Sequence, residues 1–183
     1  MLRGNKVTLR AIERDDQRIF WVYNNDLEIE LLSSSDPPMP LSLAASLAFF
    51  DRRLDEPKPN HWFAIEAGAE VIGACGLKDF DATARTCGLG IRIGERIYWG
   101  KGYGRDAVAT LLDYGFRHLS MHKVWLTVLD SNERAIRSYK ACGFEQEALL
   151  RRHIWMDGST RDELVMGVLA SEWHDPRRSG RLD

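Results

Sequence analysis

The chain has 183 residues, a length that sets a prior of one domain with a sizeable core. Its hydrophobic and charged fractions, 44% and 28%, are those of an ordinary soluble globule. A net charge of −2 gives no electrostatic reason to expect nucleic acid or an anionic membrane as partner.

The opening Met-Leu-Arg-Gly-Asn-Lys lacks an apolar leader segment, and no apolar run approaches membrane-spanning length. Cys75, Cys87 and Cys142 are odd in number and lack CxxC spacing, which predicts buried, reduced thiols. A cytoplasmic protein, monomer or homodimer, is expected.

Val7 to Arg10 alternates apolar and polar residues as a half-buried strand does. Glu13 to Asn25 predicts a first helix, and Asp26 to Leu32 a short helical continuation. Ser33 to Pro40 is a loop by composition. Ser42 to Leu54, apolar at Leu43, Leu47, Phe50 and Leu54, predicts a third helix with Ser42 as N-cap. His61–Glu66 and Val71–Leu77 read as a hairpin around Gly68, followed by a strand over Thr86–Ile93.

Trp99-Gly100-Lys101-Gly102-Tyr103-Gly104-Arg105-Asp106-Ala107 then opens a segment with Ala107, Val108, Leu111, Leu112 and Gly115 at helical spacing. Three alternating glycines strip side chains from a tight turn at a helix N-terminus, where free N–H groups and the macrodipole favour an anion such as phosphate. The P-loop pattern fails, because Gly102 follows Lys101 and Gly94 lies one residue too far away. Gly102, Gly104 and Ala107 satisfy a dinucleotide fingerprint, but the preceding strand ends too early, at Ile93, and too little chain follows for a doubly wound sheet.

A strand over Lys123–Leu129 leads to a helix from Asn132, closed by Gly143 as a left-handed residue with Phe144 beyond it. Glu147–Met156 and Arg161–Leu169 flank the hairpin turn Asp157-Gly158. Residues 172–183 read as a polar, frayed tail on a single domain spanning 1–183. His118 and His122 have metal-ligand spacing but straddle a helix end without a partner Glu, so no metal site is assigned. The strand–helix order indicates a mixed α/β, or α+β, sheet.

Two stretches, "IYWGKGYGRDA" and "NERAIRSYKACGF", resemble in order and separation the GNAT superfamily of acetyl-CoA-dependent N-acetyltransferases. The nearest likeness is to the branch of ribosomal-protein N-terminal acetyltransferases (RimJ/RimL type). "VTLRAIERDD", "HWFAIE", "GLKDFDATARTCGLGIRIGE" and "RDELVMGVL" extend the likeness over most of the chain.

The resemblance implies a mostly antiparallel central sheet flanked by helices. It implies transfer of an acetyl group from acetyl-CoA to a primary amine, either a protein N-terminus or a small amine, by direct attack on the thioester. Trp99, Gly100, Lys101, Gly102, Tyr103, Gly104 and Arg105 would hold the pyrophosphate. The pantetheine arm would lie along Leu89–Ile93, touching Ile91, Ile93 and Asn132, with an N–H near Ile91 stabilising the oxyanion. Tyr139 is a core residue by periodicity alone; the family motif makes it the general acid, since a phenol of pKa about 10 can protonate a departing thiolate.

Trp99 stands where the family has Arg or Gln, and Gly88 where relatives often carry an acidic residue, so the base is assigned to Glu28, with His61, Asp130 and His153 behind it. The alternatives are a non-catalytic acyl-CoA sensor and a dinucleotide-dependent oxidoreductase.

Overall fold

A computed structural model describes residues 1–33, 37–55 and 60–177. Part of the loop expected over Ser33–Pro40, all of Glu56–Pro59 and the end of the tail fall outside these. The strands are β1 (Leu2–Arg3), β2 (Thr8–Arg10), β3 (His61–Ala67), β4 (Glu70–Asp81), β5 (Thr86–Ile93), β6 (Lys123–Leu129), β7 (Glu145–Met156) and β8 (Ser159–Leu169). The helices are α1 (Gln17–Asn24), α2 (Leu27–Ser33), α3 (Leu43–Asp55), α4 (Tyr103–Arg117) and α5 (Glu133–Ala141), with short 3-10 turns at Arg14–Asp16 and Arg96–Tyr98.

All eight strands form one sheet in the order β1-β2-β3-β4-β5-β6-β8-β7. Every neighbouring pair is antiparallel except β5–β6. This is the mixed, mostly antiparallel sheet expected from the sequence.

Local chemistry sets the element ends. Ser42 Oγ accepts the N–H of Ala45 at 3.1 Å, as an N-cap does. Asp157 and Gly158 both have positive φ, 49° and 71°, the geometry of a tight hairpin turn. Gly143, at φ 93°, ends α5 in a left-handed cap. The Phe144 N–H then reaches the Tyr139 carbonyl at 3.1 Å and the Gly143 N–H that of Lys140 at 3.0 Å, a Schellman motif.

The main core lies between the sheet and α4. Leu9, Ile65, Leu77, Val124, Leu126 and Met166 from the strands meet Val108, Leu111 and Leu112. Gly115 brings α4 close to β4, since a Cβ there would stand 3.1 Å from Leu77 Cδ1. Helices α1 and α2 cover the opposite face, where Arg92 bonds Asn24 of α1 and Glu30 of α2.

The tail departs from the frayed reading as far as residue 177. Trp173 packs on Phe116 at 5.5 Å between ring centroids. Arg177 pairs with Asp175 at 2.7 Å and donates to Thr110 of α4 at 2.8 Å. A composition rich in polar residues signalled disorder, but these ones are consumed in a mutual ion pair docked on α4.

Candidate active site

The one parallel pair opens the sheet. Thr86, Cys87 and Gly88 pair with Lys123, Val124 and Trp125, and there the β5–β6 ladder stops. Beyond it β5 keeps, among the described residues, only β4 as neighbour, through Ile93, while β6 stays on β8 through Leu129. Leu89–Ile93 therefore presents an uncovered strand edge inside the molecule, which is where an extended ligand can add as a strand. A cavity of about 1410 Å3 occupies this wedge and reaches both faces of the sheet.

At the open end stands the glycine turn. Gly100 and Gly102 take φ of 70° and 81°, and Gly102 is the N-cap of α4. With no side chain there, nothing from the cap position blocks the first-turn amides, which have no acceptor within the helix. A Cβ at Gly100 would meet nothing within 4 Å, so the turn is open to the cavity. Lys6, Lys101, Arg105, Arg134 and Arg137 line the same cavity. An N-terminal helix dipole, glycine amides and five cations suit a ligand carrying several phosphates. Coenzyme A, with a pyrophosphate, a 3′-phosphate and an extended pantetheine arm, fits both the cradle and the strand edge.

Trp99 replaces the expected Arg or Gln with a different device. Its indole N–H donates to the Ile93 carbonyl at 2.7 Å, and the Arg134 guanidinium stacks 3.8 Å from the ring centroid. The loop after β5 is thereby tied to α5 across the mouth of the wedge. Burial lowers the Arg134 pKa, with Glu28 opposing that shift.

Tyr139 lies at the inner end of α5 and lines the cavity at 9% exposure. Its ring stands 5.8 Å from that of Phe144, the hydrophobic contact of the Schellman motif, so the cap that ends the helix also orients the phenol. Among the described residues, the only buried side-chain polar atom without a partner is the Trp173 indole nitrogen. Among the described residues the Tyr139 hydroxyl has no hydrogen-bond partner, so it opens into the cavity that its side chain lines. Burial pushes the phenol up to about 12. Asn132 caps α5, accepting the Ala135 N–H at 3.2 Å, and its amide donates to the Leu32 carbonyl of α2 at 3.2 Å.

The structure thus gathers Ile91, Ile93, Trp99, Gly100, Lys101, Gly102, Gly104, Arg105, Asn132 and Tyr139 around one cavity. Tyr103 and Glu28 stand outside its lining. The Tyr103 ring packs edge-on against Tyr98 at 4.8 Å, and the Glu28 carboxylate pairs with Arg96 at 2.8 Å at the surface. Of the other base candidates, His61 Nδ1 is hydrogen-bonded to the Tyr114 hydroxyl at 2.7 Å and Asp130 is exposed. His153 Nε2 lies 3.9 Å from Glu163.

Two residues escape the sequence reading. Glu163, in β8, is buried and lines the cavity; an acidic residue inside "RDELVMGVL" is the signal, but only the strand register shows which face it takes. Asp106 is 3% exposed in the first turn of α4. It accepts the N–H groups of Asn5, Lys6 and Val7 at 3.0, 2.7 and 3.0 Å, strapping the chain's start to the cradle.

The comparisons with known proteins agree with this geometry. A family model described as an acetyltransferase (GNAT) domain matches residues 6–145. The chain is 27% identical to the spermidine N(1)-acetyltransferase of Vibrio cholerae over 170 residues, 93% of this chain and 96% of that protein. It is 29% identical to the N-alpha-acetyltransferase RimI of Mycobacterium tuberculosis, over 84% of this chain and 87% of that one. The crystal structure of spermidine N-acetyltransferase from Vibrio cholerae in complex with CoA and spermine superposes with a TM-score of 0.84 at 28% identity, covering 92% and 98% of the two chains. A split sheet, a glycine-opened helix and a family match over most of the length lead to one assignment: the chain belongs to the GNAT family and is an acetyl-CoA-dependent N-acetyltransferase.

Proposed function

We propose that the wedge between β5 and β6 is the acetyl-transfer centre of one domain spanning the chain, and that the acceptor is a small primary amine. The convergence of the glycine cradle, the uncovered β5 edge and the cavity-facing Tyr139 hydroxyl carries this reading. Bound acetyl-CoA supplies an activated thioester carbonyl. The amides at Gly102–Arg105, with Lys6 and Lys101, hold its phosphates, and Leu89–Ile93 aligns the pantetheine arm as an added strand. A backbone N–H near Ile91 faces the thioester oxygen and stabilises charge that develops there. Asn132 fixes the start of α5 and with it the position of Tyr139.

Tyr139 gives its proton to the departing sulfur. Because burial raises its phenol to about 12, it stays protonated over the whole neutral range. Glu28 is committed to Arg96, so the proton of the incoming ammonium leaves through the cavity to solvent rather than to that carboxylate. A small amine is favoured over a protein N-terminus of the RimJ/RimL type by the similarity to spermidine N(1)-acetyltransferases of Vibrio cholerae and Escherichia coli.

Incubation with acetyl-CoA and a panel of small amines and amino-terminal peptides, read by mass spectrometry, tests the reading. Acetylated small amines are expected. Acetylation of peptides alone would move the acceptor to protein N-termini. Stabilisation by NAD but not acetyl-CoA would overturn the site assignment.

A further inference from the structure

The face of the sheet turned away from α4 carries an aromatic side chain that two glycines make room for. Trp62 of β3, Gly76 of β4 and Gly90 of β5 stand side by side in register, so the three share a face. Arg92, two residues beyond Gly90, points the same way and bonds α1 and α2, while Leu77 and Leu89 alternate into the core. A Cβ at Gly76 would lie 2.7 Å from Trp62 Cδ2, and one at Gly90 2.9 Å from Trp62 Cη2, closer than real Cβ atoms come. The indole therefore lies across β4 with its far edge over Gly90. On the other flank, a Cβ at Gly88 would stand 3.5 Å from Trp125 Cζ2. Gly88 and Gly90 leave a strip of bare backbone between two tryptophans, and all four residues line the cavity.

This strip adjoins the place assigned to the reacting carbon. With the thioester oxygen on the N–H of the Gly90–Ile91 peptide, and the pantetheine arm as an added strand, the carbonyl lies close to the plane of the sheet. An amine attacks a carbonyl from above or below its plane, so it must come from one face of the sheet. On the α4 face the space is bounded by Leu89, Val108 and Tyr139, all members of the core. The opposite face opens beneath Phe20 of α1, Ile29 of α2 and Phe49 of α3, which line the cavity. The amine therefore arrives on the face that Trp62 occupies.

We propose, building on the acetyltransferase reading, that Trp62 limits the acceptor to amines whose nitrogen sits on an unbranched carbon, a CH2–NH2 group. An added strand lies about 4.8 Å from β5. The carbon bearing the attacking nitrogen is one bond from it, so it stays beside the Gly90 edge wherever the rest of the amine runs. Two hydrogens on that carbon fit against the indole edge, whereas a carbon branch in place of one meets Cη2. A pocket wall that must absorb one surplus carbon discriminates by roughly 10–200-fold. The amino end of a polypeptide that begins with anything but glycine carries such a branch, so the same wall turns away most protein N-termini.

Steady-state kinetics with acetyl-CoA and either n-propylamine or isopropylamine test this, because the two isomers share formula and charge and differ only in the branch. In the parent, kcat/KM for n-propylamine should exceed that for isopropylamine at least about tenfold. Trp62→Ala removes the indole edge and should bring the ratio below about threefold, chiefly by raising turnover of the branched isomer. Trp62→Phe, whose smaller ring stops short of Gly90, should give a ratio between the two.

A smaller ratio in the parent, or a parent-like ratio in folded Trp62→Ala, overturns the proposal. Where Trp62→Ala does not fold, Trp62→Phe decides in its place, and a ratio equal to the parent's overturns the proposal in the same way. If calorimetry shows that acetyl-CoA does not bind, the acetyltransferase site itself falls. If it binds and neither isomer is acetylated, only the role of Trp62 falls.

Discussion

Gly104 offers a substitution that separates cofactor binding from folding. It lies in the first turn of α4, and its φ is not positive, unlike those of Gly100 and Gly102. A Cβ built there meets only Ile93 Cγ1, at 3.8 Å, an ordinary contact. Alanine should therefore keep the fold, and helix propensity favours it over glycine by up to about 1 kcal/mol. The added methyl nevertheless projects into the cavity where phosphate oxygens would approach the helix.

The size of the effect follows from linkage. Acetyl-CoA at about a hundredfold over its Kd stabilises the parent by roughly 2.7 kcal/mol, which for a domain of this size is a Tm increase of about 5–11 °C. A tenfold weaker Kd in Gly104→Ala would remove about 1.4 kcal/mol of that, or roughly 3–5 °C at the same ligand concentration. Differential scanning fluorimetry with and without acetyl-CoA reads both quantities in one experiment. The expected pattern is an unliganded Tm equal to or above the parent's and a smaller ligand-induced shift. An identical shift in both proteins would show that the phosphates do not approach α4 at Gly104, and the cradle assignment would fail.

Other perturbations follow from the same contacts. Asp106→Ala removes the acceptor of three N–H groups in a nearly dry position, and should cost about 3–5 kcal/mol in a urea unfolding curve. Trp99→Phe keeps a ring for Arg134 but loses the bond to the Ile93 carbonyl, so about 1 kcal/mol of stability should go. The acetyl-CoA off-rate should rise with it, as stopped-flow chase would show. The raised phenol of Tyr139 also sets a pH window. The buried, protonated form is undisturbed below the unfolded value near pH 10, and stability is lost as pH rises through about 12. Tyr139→Phe should flatten part of that alkaline loss in thermal melts recorded between pH 9 and 12.

Much of the fold was legible in the residues. Strand β5 at Thr86–Ile93, β6 at Lys123–Leu129 and the caps at Ser42 and Gly143 sit where alternation, helical spacing and capping chemistry put them. These signals are local, and local signals survive folding. The opening of the sheet was not legible, because where β5 and β6 part depends on pairing between segments thirty and more residues apart.

For the same reason Glu28 looked like a candidate base. Its competitor Arg96 lies in a distant loop, and only the tertiary structure brings the two to 2.8 Å. Glu163 was hidden for the converse reason, since a charged residue in a strand reads as solvent-facing until its register is known. Trp99 broke the expected motif, and its compensation, the Ile93 carbonyl and the Arg134 stack, comes from two separate elements.

If the wedge is a working acetyl-transfer centre with Tyr139 as its proton donor, single-turnover transfer by Tyr139→Phe will reveal it. Phenylalanine preserves the ring contact with Phe144 and removes only the hydroxyl that opens to the cavity. The expected transfer rate is at least about a hundredfold below the parent's, with the acetyl-CoA Kd unchanged, because the loss belongs to the transition state. Measuring a single turnover keeps slow product release from masking the chemistry. A rate within a few-fold of the parent's would show that Tyr139 is a core residue and that the sulfur takes its proton from elsewhere.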